Sequence, residues 1–563
     1  MEAGRSTVIG YVVDVRSGSL TVNLVEDEQG SVPVVTIGDE DILVGQPGSY
    51  VAVWQGNTKI LALVTRMSET EKVPPLAPGE TAEDAVRVTL AQRVVTLIPL
   101  GTINPDGYFE RGVSTYPTTG AEVHAVGTEE INVIFEKYRS KGYSVGTLSS
   151  HPSLDVYLDP TSLFSRHFAI LGQTGSGKSW CVANLVQRAV AAMPKAHIII
   201  LDLHGEYCWK DDEGKLQSAF LENIVRYVDA RALEIPYWLM TYAELCDLLI
   251  DRNEREAHNQ TAFFRDVLRD LRQLEKTPLK LERVTVDTPV YFSLDDLINR
   301  VREENERMVP GTTKNKQGPN YGAFDRFLMR LDSRLNDVRY DFLLRPKTRT
   351  SSASLSNLLR DFVGLGNPKR PVTVVDLSSV PFDVRPTVAA QIGRLAFEFN
   401  YWNPQYREFP LLLICEEAHA YVPRASEAQF AGSRKSMERI AKEGRKYGVG
   451  LGVVSQRPNE LSETVLAQCG TFLCLRITNP TDQSYVRSLV PESEVDLIDI
   501  LAGLGRGETL ALGEAVPLPT RFRGYKPDPV PNSEDVDFYE KWRLGPDDLD
   551  VDAIVDKWRR QER

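Results

Sequence analysis

Long apolar runs are missing from this chain of 563 residues: no stretch approaches the roughly eighteen consecutive apolar residues that a membrane-spanning helix requires. The N-terminus, Met1-Glu2-Ala3-Gly4-Arg5, also lacks the apolar core of a signal peptide, so a cytoplasmic chain with no membrane association is expected. Cysteine is scarce. Its six positions (181, 208, 246, 415, 469 and 474) show neither Cys-x-x-Cys nor Cys/His ligand spacing, and several fall inside apolar runs, which argues against a disulfide framework or a zinc site. An excess of positive charge is absent as well. With 65 Lys and Arg against 78 Asp and Glu the net charge is −13, which excludes a surface that is basic throughout but leaves room for a basic stripe along a pore. The length exceeds what one core can serve, so roughly two to four domains are expected.

What is present centres on Gly172-Gln173-Thr174-Gly175-Ser176-Gly177-Lys178-Ser179. An apolar strand, Phe168 to Leu171, precedes it, and Trp180 to Met193 follows with helical periodicity and no Pro or Gly. That is the pattern of a phosphate-binding loop. The glycines let the backbone turn tightly enough to aim amides at phosphate oxygens, and the helix adds the positive end of its dipole. Lys178 would reach the β- and γ-phosphates of ATP, and the Ser179 hydroxyl would ligate Mg²⁺.

Two other apolar strands end in acids. His197 to Asp202 reads as a buried parallel strand, and Asp202 and Glu206 then fall where parallel sheets place ligand-facing residues; the competing reading is a carboxylate that caps a turn. Phe409 to Cys415 runs into Glu416-Glu417. Paired acids there suit a phosphate loop, Glu416 holding Mg²⁺ through water and Glu417 orienting and deprotonating the attacking water. A further strand, Val449 to Ser455, delivers Gln456, which could contact the γ-phosphate or its water.

The rest of the chain divides around this α/β core. Short alternating strands with turn punctuation between residues 6 and 66 predict a small β-barrel, and residues 1–155 as a whole are expected outside the nucleotide fold. The first part of the core is expected over 156–236, a charged helical insertion over 237–365, the second part over 366–520, and a tail over 521–563. Arg434 to Lys446, a helix of basic bias, is the richest local source of positive charge, either solvated or facing a polyanion.

Taken together, Ile9-Gly-Tyr-Val-Val13, the loop phrase from Arg166 to Ser179, Asp202-Leu-His-Gly-Glu-Tyr207, Cys415-Glu-Glu-Ala-His419 and Glu443-Gly-Arg-Lys-Tyr-Gly448 leading to Ser455-Gln-Arg-Pro458 make the chain resemble the HerA-type ATPases of the HerA–FtsK group. The resemblance implies a RecA-like P-loop ATPase core with an N-terminal β-barrel and a helical insertion. It implies a homohexameric ring that moves double-stranded DNA with ATP, and a partner nuclease or NAD-hydrolysing effector docked on the barrel, in DNA-end processing or anti-phage defence. It also implies a trans-acting arginine, matched by Arg166, with Arg445 a second candidate. Glu416 stands where many ring ATPases carry Asp. The alternative is a ring scaffold that assembles and regulates an effector, with ATP as a structural or sensing ligand.

Overall fold

The computed structural model describes the chain apart from residues 1–6, 17, 26–33, 38–39, 44, 73–89, 212, 251–256, 311–314, 383, 425–430, 547 and 561–563. At the N-terminus, antiparallel strands close into a barrel, because Leu20–Leu24 pairs on one side with Val8–Val15 and on the other with Leu90–Ile103. Alternation sets its two faces. Val51, Val53, Ile60, Ala62, Val64 and Leu97 point into the barrel, while Tyr50, Ala52, Leu61, Leu63, Ile98 and Leu100 join the interior of the following domain. The Tyr50 hydroxyl donates to the Pro519 carbonyl at 2.7 Å, and Arg111 donates to the Gly513 carbonyl at 2.9 Å and to Glu494 at 3.1 Å. The expected linker after residue 66 is still strand as far as Lys72, and the remainder of that stretch, to residue 85, lies outside the described residues.

The second domain is built on one mixed sheet. Thr471–Cys474, Phe168–Leu171, Val449–Ser455, Leu411–Cys415, Ile198–Asp202, Val372–Asp376 and Val225–Asp229 lie side by side and parallel. All but the last are buried throughout, apolar runs covered on both faces as crossover helices require. The other end of the sheet is antiparallel: Glu508–Gly513, Thr520–Gly524, Ser144–Leu148 and Asp155–Tyr157.

Those edge strands run across the expected boundaries. Ser144–Leu148 and Asp155, the first residue of Asp155–Tyr157, pair within the sheet of the nucleotide fold although the expected boundary puts them in the 1–155 unit, and Thr520–Gly524 carries the sheet into the expected tail. The pairing of Gly146 with Gly524 joins segments nearly the whole domain apart in sequence, so neither short strand announces its partner. Between Val225–Asp229 and Val372–Asp376 sits the helical insertion, with Tyr242–Leu249, Ala257–Gln273, Leu294–Asn305, Asp325–Leu335 and Leu355–Phe362 packed on Phe264, Leu268, Leu297, Phe327 and Leu331. Helices Phe538–Leu544 and Val551–Arg560 end the chain and bury none of their residues. Among the described residues no helix is long and apolar enough to cross a membrane.

Candidate active site

The loop from Gly172 to Gly177 leaves the carboxyl end of Phe168–Leu171, near the middle of the sheet, and runs into the helix Lys178–Ala192. Glycine is required for two different reasons. Gly175 and Gly177 take positive φ, 73° and 105°, and at Gly172 a Cβ would fall 2.7 Å from Ser176 Oγ and 2.9 Å from Leu475 Cβ. Other loop residues lock it to the sheet. Gln173 donates its N–H to the Arg476 carbonyl at 2.9 Å, and its side-chain oxygen accepts from the Thr478 N–H at 3.1 Å and the Thr478 hydroxyl at 2.7 Å. The amides of Lys178, Ser179 and Trp180 precede Cys181 N–H, which donates to Gly177 O at 2.9 Å, and so are the first-turn donors that a helix end offers to an anion. The Lys178 ammonium is buried and donates to the Gln173 carbonyl at 3.2 Å.

Three carboxylates gather here, and two of them, Glu416 and Glu417, face this cation. Glu416 follows Leu411–Cys415, is 2 % exposed, and has a buried Oε2 with no partner. Burial holds its carboxyl well above the usual range; Glu206, Glu417 and Asp202 add to the rise and Lys178 opposes it. Glu417 adopts a left-handed conformation, φ 46°, unusual for a residue with a Cβ. Burial raises it too, opposed by Lys178 and by the nearby Gln456 backbone amide. His419 Nδ1 lies 3.2 Å from Glu417 Oε2 but off hydrogen-bonding geometry, so that buried oxygen has no donor. Burial pushes His419 down to about 4, leaving it neutral at pH 7, with Nδ1 also 3.2 Å from Ser455 Oγ. The third is Glu206, whose Oε2 is likewise buried and unpartnered.

Asp202 is held differently, by backbone amides. One oxygen accepts from the Gly205 and Glu206 amides at 2.8 and 3.0 Å, and the other from the Tyr207 amide at 2.8 Å. It pins the turn that presents Glu206, and burial raises it to about 7. Gln456 emerges from Val449–Ser455 beside the loop, with its side-chain oxygen on the Thr174 hydroxyl.

The two arginines lie at the other end of the sheet. Arg166 ends the helix Pro160–Ser165 before Phe168–Leu171 begins, pairs with Glu514, and is six residues, about 20 Å of extended chain, from Gly172. Arg445 is exposed in the turn Gly444–Tyr447 that feeds the amino end of Val449–Ser455. Neither reaches the phosphate loop of its own chain. Between them His167, φ 56°, accepts from the Leu451 amide at 3.0 Å and bonds the Ala441 carbonyl at 3.1 Å. Arg434 is engaged as well: it pairs with Glu438 at 2.8 Å and donates to the Arg424 carbonyl at 2.9 Å, which withdraws it from the positive stripe read in the sequence.

The residues fit a nucleotide with a divalent cation. A glycine cradle, free first-turn amides, a buried lysine and three unpartnered carboxylate oxygens are what a triphosphate, its metal and an attacking water engage. Sequence reasoning did not single out His419 and Ser455 as neighbours of the paired acids, although His419 stood in the same phrase.

This sheet order and site define a P-loop ATPase of the RecA-like class. Residues 143–396 match the family described as "Helicase HerA, central domain". It is 29% identical over 455 residues to the DNA double-strand break repair helicase HerA of Pyrococcus furiosus, covering 76% of each chain. It is 27% identical over 574 residues to the protein of the same name from Sulfolobus acidocaldarius, covering 98% of this chain and 99% of that one. Among solved structures, VirB4 of Thermoanaerobacter pseudethanolicus is similar at 17% identity and a TM-score of 0.45, over 68% of this chain and 96% of that one.

Proposed function

We propose that this chain is an ATP-driven motor that moves double-stranded DNA through a homohexameric ring. The observation that carries the reading is the division of the site between opposite edges of one sheet. Lys178, Glu417 and Gln456 stand at the carboxyl edge and Arg166 and Arg445 at the amino edge, so neither of these arginines can supply, within its own chain, the cation that faces a transferring phosphoryl group from outside. A head-to-tail neighbour supplies it, and repeated head-to-tail contacts close into a ring. The names of the Pyrococcus and Sulfolobus relatives support DNA as the substrate.

In this reading Lys178 and the loop from Gly172 to Ser179 hold the phosphates of ATP. Mg²⁺, when bound, would be held by Ser179 and, through water, by Glu416, and would neutralise phosphate charge. Glu417, beside the Gln456 amide, takes a proton from water, and the Gln456 side chain positions that water. Arg166 of the neighbour, or Arg445, faces the γ-phosphate. The barrel is the docking surface for a nuclease or an NAD-hydrolysing effector.

The test combines mass measurement with turnover. Purified protein should run as a hexamer and hydrolyse ATP faster when linear duplex DNA is added. Full turnover by monomers would refute the shared site. Hexamers whose turnover ignores DNA would favour the scaffold reading, in which the ring organises its effector.

A further inference from the structure

The residue after Ser179 is a tryptophan, and three segments distant in sequence meet around it. Trp180 is half-buried, and its indole Nε1 is buried without a partner. The guanidinium carbon of Arg506 lies 5.6 Å from the ring centroid, and so does the ammonium of Lys526. Both cations are exposed at their outer ends.

Their segments are fastened to the phosphate loop itself. Gly507 donates its N–H to the Ser176 carbonyl at 3.1 Å, and a Cβ on Gly177 would stand 3.3 Å from Gly507 N. Gly524 in turn donates to the Gly507 carbonyl at 3.0 Å, and Tyr525 to the Val145 carbonyl at 3.1 Å, which sets Lys526 beside the same ring. A small cavity among Gly177, Trp180, Cys181, Leu475, Gly507 and Tyr525 adjoins them.

A phosphate loop fixes direction as well as position. Lys178 takes the terminal phosphates, and the amides of the first helical turn meet those nearer the sugar, so the nucleoside end of the ligand passes the residue that follows Ser179. Here that residue is a planar aromatic ring flanked by two cations. Indole faces stack on bases, and guanidinium and ammonium groups bond phosphate and ribose oxygens.

We infer that Trp180, Arg506 and Lys526 form the subsite for the nucleoside end of the nucleotide, the ring stacking on the base and the two cations holding the sugar-phosphate oxygens. The inference rests on the nucleotide reading above, and its test separates the two. Binding of ATP and of inorganic tripolyphosphate, each with Mg²⁺, is measured by calorimetry on the full chain. Trp180→Ala should weaken ATP by about 5- to 150-fold, the range of one base–aromatic stack, and leave tripolyphosphate unchanged. Trp180→Phe should restore most of the ATP affinity. The exposed pair Arg506→Ala/Lys526→Ala, which does not touch the core, should weaken ATP even if Trp180→Ala fails to fold. Equal ATP affinity in all three variants would overturn the subsite, as would a parallel loss of ATP and tripolyphosphate in Trp180→Ala. A wild-type chain that binds neither ligand would overturn the nucleotide reading itself.

Discussion

His167 joins the segments that carry both arginines, and acid should loosen it. Its ring bonds the Ala441 carbonyl and the Leu451 amide, on either side of Arg445, while Arg166 is its chain neighbour. Burial pushes the imidazole from 6.5 down to about 4. The folded value is the depressed one, so the stabilisation is complete above pH 6.5 and is lost as the pH falls toward 4, when the unfolded chain takes a proton that the fold refuses. At 1.36 kcal/mol per unit, that window carries at most about 3 kcal/mol. His167→Phe keeps a ring but leaves the Ala441 carbonyl and Leu451 amide unpaired, a loss of about 1–3 kcal/mol for each buried group. Melting midpoints of both chains, at one scan rate between pH 7 and pH 4, should therefore differ by several degrees at neutral pH and converge in acid. His419 is also pushed down to about 4, but it titrates in both chains and cancels from the difference. Two parallel curves would show that His167 is not the buried neutral peg described above.

The other expectations concern the site and its surroundings. Lys178→Ala should abolish ATP binding, whereas Glu417→Gln should bind ATP and lose about 10²- to 10⁴-fold in turnover; near-normal turnover would take Glu417 out of the base role. Mixing Arg166→Ala chains with Glu417→Gln chains should regenerate some intact sites and part of the activity, and no rescue in properly assembled mixtures would mean that Arg166 acts within its own chain or only structurally. Because Arg434 is held by Glu438 and the Arg424 carbonyl, Arg434→Ala/Lys435→Ala should leave the salt dependence of DNA binding unchanged; a flatter slope would return this helix to the DNA path. Truncation after Val536 removes two helices that bury nothing, so melting should shift by no more than about 0.5 kcal/mol allows, and a drop of several degrees would assign them to a contact between chains.

The parts of this molecule legible in the sequence are those whose signal is local. Phe168 to Ser179 declares strand, turn and helix within a dozen residues, and Leu411 to Glu417 shows a buried strand delivering acids, because burial on both faces demands unbroken apolar runs. Contacts between distant segments are not written locally. Ser144–Leu148 reads like any short strand, and its antiparallel partner at Thr520–Gly524 is fixed only when the whole domain closes. Asp202 shows the same limit within the site: a carboxylate after an apolar strand can face a ligand or pin a turn, and three backbone amides hold this one in the turn. The cluster around Trp180 draws on residues more than 300 positions apart, beyond any window a motif can scan.

Part of the barrel's outer face, on Tyr50–Gln55, Thr58–Lys72 and Leu90–Ile103, lies in the same apolar interior as the ATPase sheet. Tyr50, Leu61, Leu63 and Ile98 would meet water if the barrel were cut away, so residues 7–125 do not make a portable module. Mechanically, barrel and sheet are one lever. A displacement of the Glu508–Gly513 or Thr520–Gly524 edge would pass to the barrel through close-packed side chains and the Tyr50 and Arg111 bonds. A molecule bound to the barrel would thereby be geared to the nucleotide site of the same chain.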